Sequence, residues 1–178
     1  MRWIWIDKFI EFESGKRAKA IKNISLAEEH LHDHFPGYPV MPNSLITEGL
    51  AQTGGLLVGE VSNFEAKVIL AKIPKAVFHF PAVPGDTLHY TAVIEYVNDN
   101  GAMVTATSHV GDRLQAEMEI VFAHLGDDGR GKRLFEPKNF VFTMKLLGVF
   151  DVGRSSDGSK LSEPPGLTRL KASSGGEI

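Results

Sequence analysis

HFPGYPVMPNSLITEGLAQ, residues 34–52, joins a proline-spaced loop to an apolar run that carries one carboxylate, Glu48. Pro36, Pro39 and Pro42 each fix φ and shape the loop. Beyond Pro42 the pattern turns helical, with Asn43 or Ser44 placed to cap the first turn. Leu45, Ile46, Leu50, Ala51, Leu56, Leu57 and Val58 then cover nearly the whole circumference. That pattern predicts a buried helix over 43–60. Gly49, Gly54, Gly55 and Gly59 lie inside it, each costing about 1 kcal/mol relative to alanine. Such a cost implies that other backbone packs close against the helix. A carboxylate in this setting is the feature to explain.

Upstream, residues 2–12 read as a strand rich in Trp, Ile and Phe. Glu13, Ser14, Gly15 and Lys16 form a turn, and residues 17–24 return as the second strand of a hairpin. Downstream, residues 66–80 hold two apolar stretches around Pro74, and Pro84-Gly85-Asp86 is a turn. Residues 88–97 lead into Asn100-Gly101, a strong hairpin signal, and residues 102–110 return. From Leu114 to Phe122 apolar residues alternate with Gln115, Glu117, Glu119 and Val121, a period of two with one face buried. One buried helix and about six mostly antiparallel strands predict an α+β fold in which a curled sheet wraps the helix. An open sheet has edges, and dimerisation by sheet extension would cover them. Three spans follow: a core domain over 1–123, an extension over 124–151 that packs on it, with a short amphipathic helix or else an extended apolar flap over 137–150, and a flexible tail over 152–178, rich in Ser, Gly, Pro and charge.

Composition narrows the function. The chain has 178 residues, 43% apolar and 23% charged, with a net charge of −3. That balance gives no case for nucleic acid as a partner. Cysteine is absent, which excludes disulfides, thiolate metal sites and a cysteine nucleophile. The apolar burst in MRWIWIDKF is too short for a signal peptide or a membrane span, so a cytoplasmic protein without a membrane partner is expected.

HFPGYPVMP followed by LITEGLAQ resembles the 3-hydroxyacyl-[acyl-carrier-protein] dehydratases of fatty acid synthesis, which have the hot-dog fold. AIKNIS upstream and FHFPAVPGDTL downstream are similar to that family's flanking segments, and the likeness covers residues 3–123. The resemblance implies His34 as the catalytic histidine and Glu48 as the catalytic carboxylate, the two coming from opposite subunits of a homodimer, with a trimer of dimers as the larger form. It implies no cofactor and acyl carrier protein as the partner that presents the substrate. Asn43, Ser44 and Gly37 are the implied oxyanion and substrate-binding positions, through backbone amides. Three departures stand out. Asn43 and Ser44 replace a glycine and a small or branched residue, a segment usual before the first strand is missing, and the region after Ala123 is extra.

The chemistry fits these residues. Dehydrating a 3-hydroxyacyl thioester needs a base for the C2 proton, and a histidine neutral near pH 7 suits. The leaving hydroxyl needs a proton, and a carboxyl in an apolar pocket tends to keep one. Charge on the thioester oxygen needs aimed donors, which the first amides of the helix supply. Gln52, at i+4 from Glu48, can hydrogen-bond and orient it. Plainer readings stand beside these: Glu48 as a structural carboxylate, His34 as a loop histidine, Gln52 as a structural support. A hot-dog thioesterase, or a non-catalytic acyl-binding protein, would share the fold. Glutamate instead of aspartate resembles the branch that only dehydrates.

HLHDH, residues 30–34, invites a metal reading, but its spacing misses the metallohydrolase pattern by one residue, so no metal is expected. His79, His89, His109 and His124 fall on strands or their ends as solvated or satisfied residues. Lys16, Arg17, Lys19 and Lys22, or separately Lys67, Lys72 and Lys75, offer a basic rim to an acidic carrier protein.

Overall fold

The computed structural model describes residues 3–64, 66–125 and 137–163. Seven strands form one sheet: β1 (Lys8–Glu13), β2 (Arg17–Asn23), β3 (Lys67–Phe78), β4 (Thr87–Asn98), β5 (Gly101–Val110), β6 (Arg113–Leu125) and β7 (Gly153–Arg154). Their order is β3-β6-β5-β4-β2-β1-β7. Every pairing is antiparallel except β1 with β7. The helices are α1 (His30–Asp33), α2 (Asn43–Val61), α3 (Pro137–Leu146) and α4 (Val149–Val152). Among the described residues no helix is long and apolar enough to cross a membrane.

The sheet curls around α2, which packs against β2, β3, β4, β5 and β6. On β6 the period-two pattern buries Ala116, Met118, Ile120 and Phe122 on the helix side. Gln115 departs from it: its side chain is buried and donates from Nε2 to Phe80 O at 3.0 Å. The sharpest reason for a glycine in α2 is at Gly49, where a Cβ would lie 2.8 Å from Trp5 O and 2.5 Å from the Tyr90 ring. Backbone does pack against the helix, and it belongs to the N-terminal segment. Gly55 is looser, since a Cβ there would meet only the Phe122 ring, at 3.4 Å.

Several expectations are adjusted. No side chain caps α2; Pro42 occupies the cap position and Asn43 and Ser44 are the first residues of the helix. Leu45, Glu48, Gln52 and Leu56 are only half-buried, so the helix is not enclosed on every side by its own chain. The first strand begins at Lys8, because the Trp3 and Trp5 backbone groups bond to the Gln52 side chain on α2. Pro74 sits within the single strand β3, in a stretch where the register with β6 slips between Lys72 and Lys75. Proline is tolerated there because the irregular stretch has no register partner for it on β6.

The segment 137–163 seals the opposite edge. Phe9 N–H donates to Leu147 O at 2.7 Å and Ser14 N–H to Arg154 O at 2.8 Å. Met144, Leu147 and Val149 are buried with Phe9 and Phe12. The first part of the span expected as a flexible tail over 152–178 packs on the sheet: β7 pairs with β1, and Leu161 is 9% exposed against Gly153. Composition hid this, because a two-residue strand and one buried leucine leave no periodic signal. Residues 126–136 and 164–178 lie outside the described residues.

Candidate active site

The loop 34–42 is tied down at both ends. His34 Nδ1 lies 3.0 Å from Val40 O, and Val40 N–H donates to His34 O at 2.9 Å. A carbonyl only accepts, so Nδ1 carries a proton, and in the neutral ring the lone pair is then on Nε2. The ring stacks on Phe35 at 4.2 Å. Phe35 and Tyr38 exchange two backbone hydrogen bonds around Gly37, whose φ of +76° is the left-handed value that favours glycine. Met41 N–H donates to Ala82 O at 2.8 Å, fastening the loop to the turn before β4.

Glu48 sits one turn into α2. Its Oε1 accepts from Gln52 Nε2 at 2.8 Å. Gln52 also donates to Trp3 O at 2.9 Å and accepts Trp5 N–H at 2.8 Å. One amide thus ties the N-terminal segment to the carboxylate. The first N–H groups of α2, at Asn43 and Ser44, have no intrahelical acceptor by geometry. Glu48 lies towards the N-terminus of α2, with Gln52 one turn further in. Among the described residues no hydrogen bond joins His34 to Glu48. Sequence reasoning misses Trp3 and Trp5 as parts of the site; the WIW burst is their only signal, and backbone contacts leave none.

The histidines of HLHDH diverge. His30 packs edge-on against Trp5 with its Nε2 3.5 Å from Glu28, and burial holds its pKa below the ordinary value while Glu28 opposes that. His32 Nε2 lies 3.2 Å from Leu26 O. Beneath Gly49, the fully buried Tyr90 hydroxyl has no partner among the described residues, and burial pushes its pKa well up. The basic clusters differ. Lys16 pairs with Glu13 at 2.6 Å, Arg17 and Lys19 with Glu11, and Lys22 with Glu28 at 2.5 Å. On β3, Lys72 is exposed, and Lys75 stands a looser 3.5 Å from Glu117. A surface cleft of about 390 Å³ lined by Lys145, Phe150, Asp151, Lys160, Leu161 and Glu163 holds none of the motif residues.

The fold is shared with solved structures. A conserved Pseudomonas aeruginosa protein superposes with a TM-score of 0.56 at 19% identity, covering 66% of this chain and 87% of that one. A Streptococcus mutans protein solved with acetyl CoA gives 0.56 at 14% identity, covering 67% and 88%. These show the hot-dog fold. The family model described as the FabA-like domain matches residues 3–121. A 3-hydroxyacyl-[acyl-carrier-protein] dehydratase FabZ of Desulforamulus reducens is 37% identical over 122 residues, 68% of this chain and 86% of the relative. One from Koribacter versatilis is 38% identical over 117 residues, 65% and 75%. The loop, the helix glutamate and the sheet around them thus belong to one inheritance: the chain is a member of the FabA-like family of 3-hydroxyacyl-[acyl-carrier-protein] dehydratases.

Proposed function

We propose that the chain dehydrates 3-hydroxyacyl thioesters carried on acyl carrier protein to trans-2-enoyl thioesters, in fatty acid biosynthesis, with His34 and Glu48 as the catalytic pair. The observation that carries the reading is the preparation of both groups. His34 presents Nε2 because Nδ1 is spent on Val40 O, and Glu48 is held by Gln52 beside the uncapped start of α2. His34 Nε2 takes the C2 proton, and the C–H electron pair becomes the new double bond. The C3–O bond breaks, and the departing hydroxide takes the proton of Glu48 and leaves as water. The amides near Asn43 and Ser44, with Gly37 in the facing loop, bind the thioester carbonyl and stabilise the charge that builds on its oxygen. Protons then return from His34 to Glu48 to reset the site.

The site is completed by a second copy. The two side chains have no mutual bond within one chain, the Glu48 stripe of α2 is half-buried, and Phe35 and Tyr38 on the histidine loop are 53% and 59% exposed. The β3 edge is unpaired on its outer side among the described residues and bears Leu70, 44% exposed. Pairing of two β3 edges gives a homodimer with one continuous sheet and two composite sites. Of the two basic clusters, the ion pairs favour Lys72 and Lys75 as the rim for an acidic carrier, since Lys16, Arg17, Lys19 and Lys22 are matched by their own carboxylates. We keep the division into a core domain over 1–123 and an added segment over 124–151; the family model covers residues 3–121.

The test mixes two inactive variants. His34→Ala and Glu48→Gln are each assayed on carrier-linked 3-hydroxyacyl substrates, then together under subunit exchange. A composite site restores partial activity in the heterodimer. Verified exchange with no activity refutes the shared site, and hydrolysis of saturated acyl thioesters by the wild type would move the reading to a thioesterase.

A further inference from the structure

We infer that the backbone of the N-terminal segment, acting through Gln52, decides which oxygen of Glu48 delivers the proton: Oε2, never Oε1. The inference rests on the catalytic reading of Glu48 above. An amide side chain has one accepting and one donating end, and their assignment normally follows from the surrounding network. Around Gln52 that network leaves no freedom. Trp5 N–H can only donate, and it lies 2.8 Å from one end. Trp3 C=O can only accept, and it lies 2.9 Å from the other. The first end is therefore Oε1 and the second Nε2. The remaining Nε2 proton points at Glu48 Oε1, 2.8 Å away.

Glu48 Oε1 is thus held as an acceptor. A proton placed there would compete with the N–H aimed at it, so the acid form carries its proton on Oε2. If the amide were reversed, Gln52 would offer its oxygen to Glu48 and draw the acidic proton towards itself, away from the substrate hydroxyl. Two peptide groups at Trp3 and Trp5, which touch no substrate atom in this scheme, thereby set the direction of proton delivery. Gly49 is part of the arrangement, because any Cβ there would push against Trp5 O at 2.8 Å and shift the segment. Gln52 is a positioning residue, and the Trp5 amide positions Gln52 in turn.

The experiment compares kcat and KM for single and double variants of the full chain. Gln52→Leu keeps the size and removes all three hydrogen bonds. It should lower kcat by about 10–10²-fold with KM unchanged within about twofold, a fraction of the effect of losing the acid itself. In a Glu48→Gln background the same change should cost nothing further, because its effect passes through Glu48 alone. The lock is tested separately. Trp5→Ala keeps the N–H, whereas Trp5→Pro removes it. The proline variant should fall about 10-fold below the alanine variant in kcat while both melt cooperatively. Should Gln52→Leu fail to fold, the Trp5 pair still decides. A loss expressed in KM, a full Gln52→Leu loss on top of Glu48→Gln, or equal rates for Trp5→Pro and Trp5→Ala would overturn the inference. An inactive Glu48→Gln with a fully active Gln52→Leu overturns this inference alone. A fully active Glu48→Gln overturns the catalytic reading as well.

Discussion

The two ends of α2 each carry a glutamate, and the two differ in an instructive way. Glu48, near the start, is half-buried and spends one oxygen on Gln52. Glu60, near the end, is 6% exposed, and its Oε2 has no partner among the described residues. Burial pushes the Glu60 pKa up, with a hydrogen bond from Ser14 pulling weakly the other way. A strongly desolvated carboxyl is the usual mark of a functional acid, and by that mark alone Glu60 would be chosen. The proposed chemistry uses Glu48, because the first amides of α2 and the histidine loop lie at its end of the helix and Gln52 is bonded to it. The reason for the inversion is which chain does the covering. Glu60 is buried within its own chain, where Ser14 of the hairpin turn bonds to it, while the cover over Glu48 is left, in the proposed dimer, to a second subunit.

The largest effect should separate the two in rate. Glu48→Gln is expected to lower dehydration about 10²–10⁴-fold while the melting temperature hardly moves. Glu60→Gln should leave kcat and KM within about twofold, since nothing at that end of α2 meets the substrate in this scheme. Equal losses from both variants would erase the distinction, and so would a large drop in stability for Glu48→Gln, which would mark it as structural.

A second contrast uses the glycine beside each glutamate. At Gly49 a Cβ meets Trp5 O at 2.8 Å and the Tyr90 ring at 2.5 Å. A backbone oxygen cannot step aside without moving the segment that holds Gln52. Gly49→Ala should therefore cost about 1–3 kcal/mol by overpacking and lower kcat as well. At Gly59 the nearest atom is in the Phe64 ring, 3.3 Å away, with Val68 at 3.9 Å. A side chain can yield by a few tenths of an ångström, and alanine gains helix propensity, so Gly59→Ala should stay within about 1 kcal/mol of wild type. Chemical denaturation reads the stabilities, and the dehydration assay reads the rate. Similar costs at both positions would show that the N-terminal segment is not a rigid neighbour of the helix.

These contrasts also show what is legible in the sequence alone. The span of α2 can be read because proline ends the loop and the apolar circumference runs unbroken to Val58. The strands β4 to β6 can be read because the turn residues Asn100 and Gly101 and a period of two are local signals. His34 and Glu48 come from a motif, which carries chemistry without geometry. The Gln52 network can be read only in part. The i+4 spacing puts Gln52 beside Glu48, but Trp3 and Trp5 act through peptide groups, which every residue has. Glu60 is unreadable for a related reason. A glutamate at the end of an apolar run looks like a solvated terminus, and only the tertiary fold makes it buried. The docking of 147–161 on β1 depends on single residues in irregular backbone, which composition does not reveal.

The smallest expected effect concerns stability and pH at Glu60. Its folded-state pKa is raised, so the fold prefers the neutral form. For such a group the stability it contributes is whole below the unfolded value of 4.5, and is lost as pH rises through the raised value. Glutamine has no charge to lose. Glu60→Gln and wild type should therefore unfold alike in acid, and the variant should pull ahead as pH rises, by about 1 kcal/mol near neutrality, the scale of an unsatisfied buried polar group. The gain stays small because the amide brings its own unpartnered donor to the same place. Urea titrations across the acid-to-neutral range measure the gap directly. A gap constant with pH would mean that Glu60 is not responsible, and a variant less stable at neutral pH would mean that its charge is compensated where Oε2 lies. Either result would remove the contrast in burial from which the comparison of the two glutamates starts.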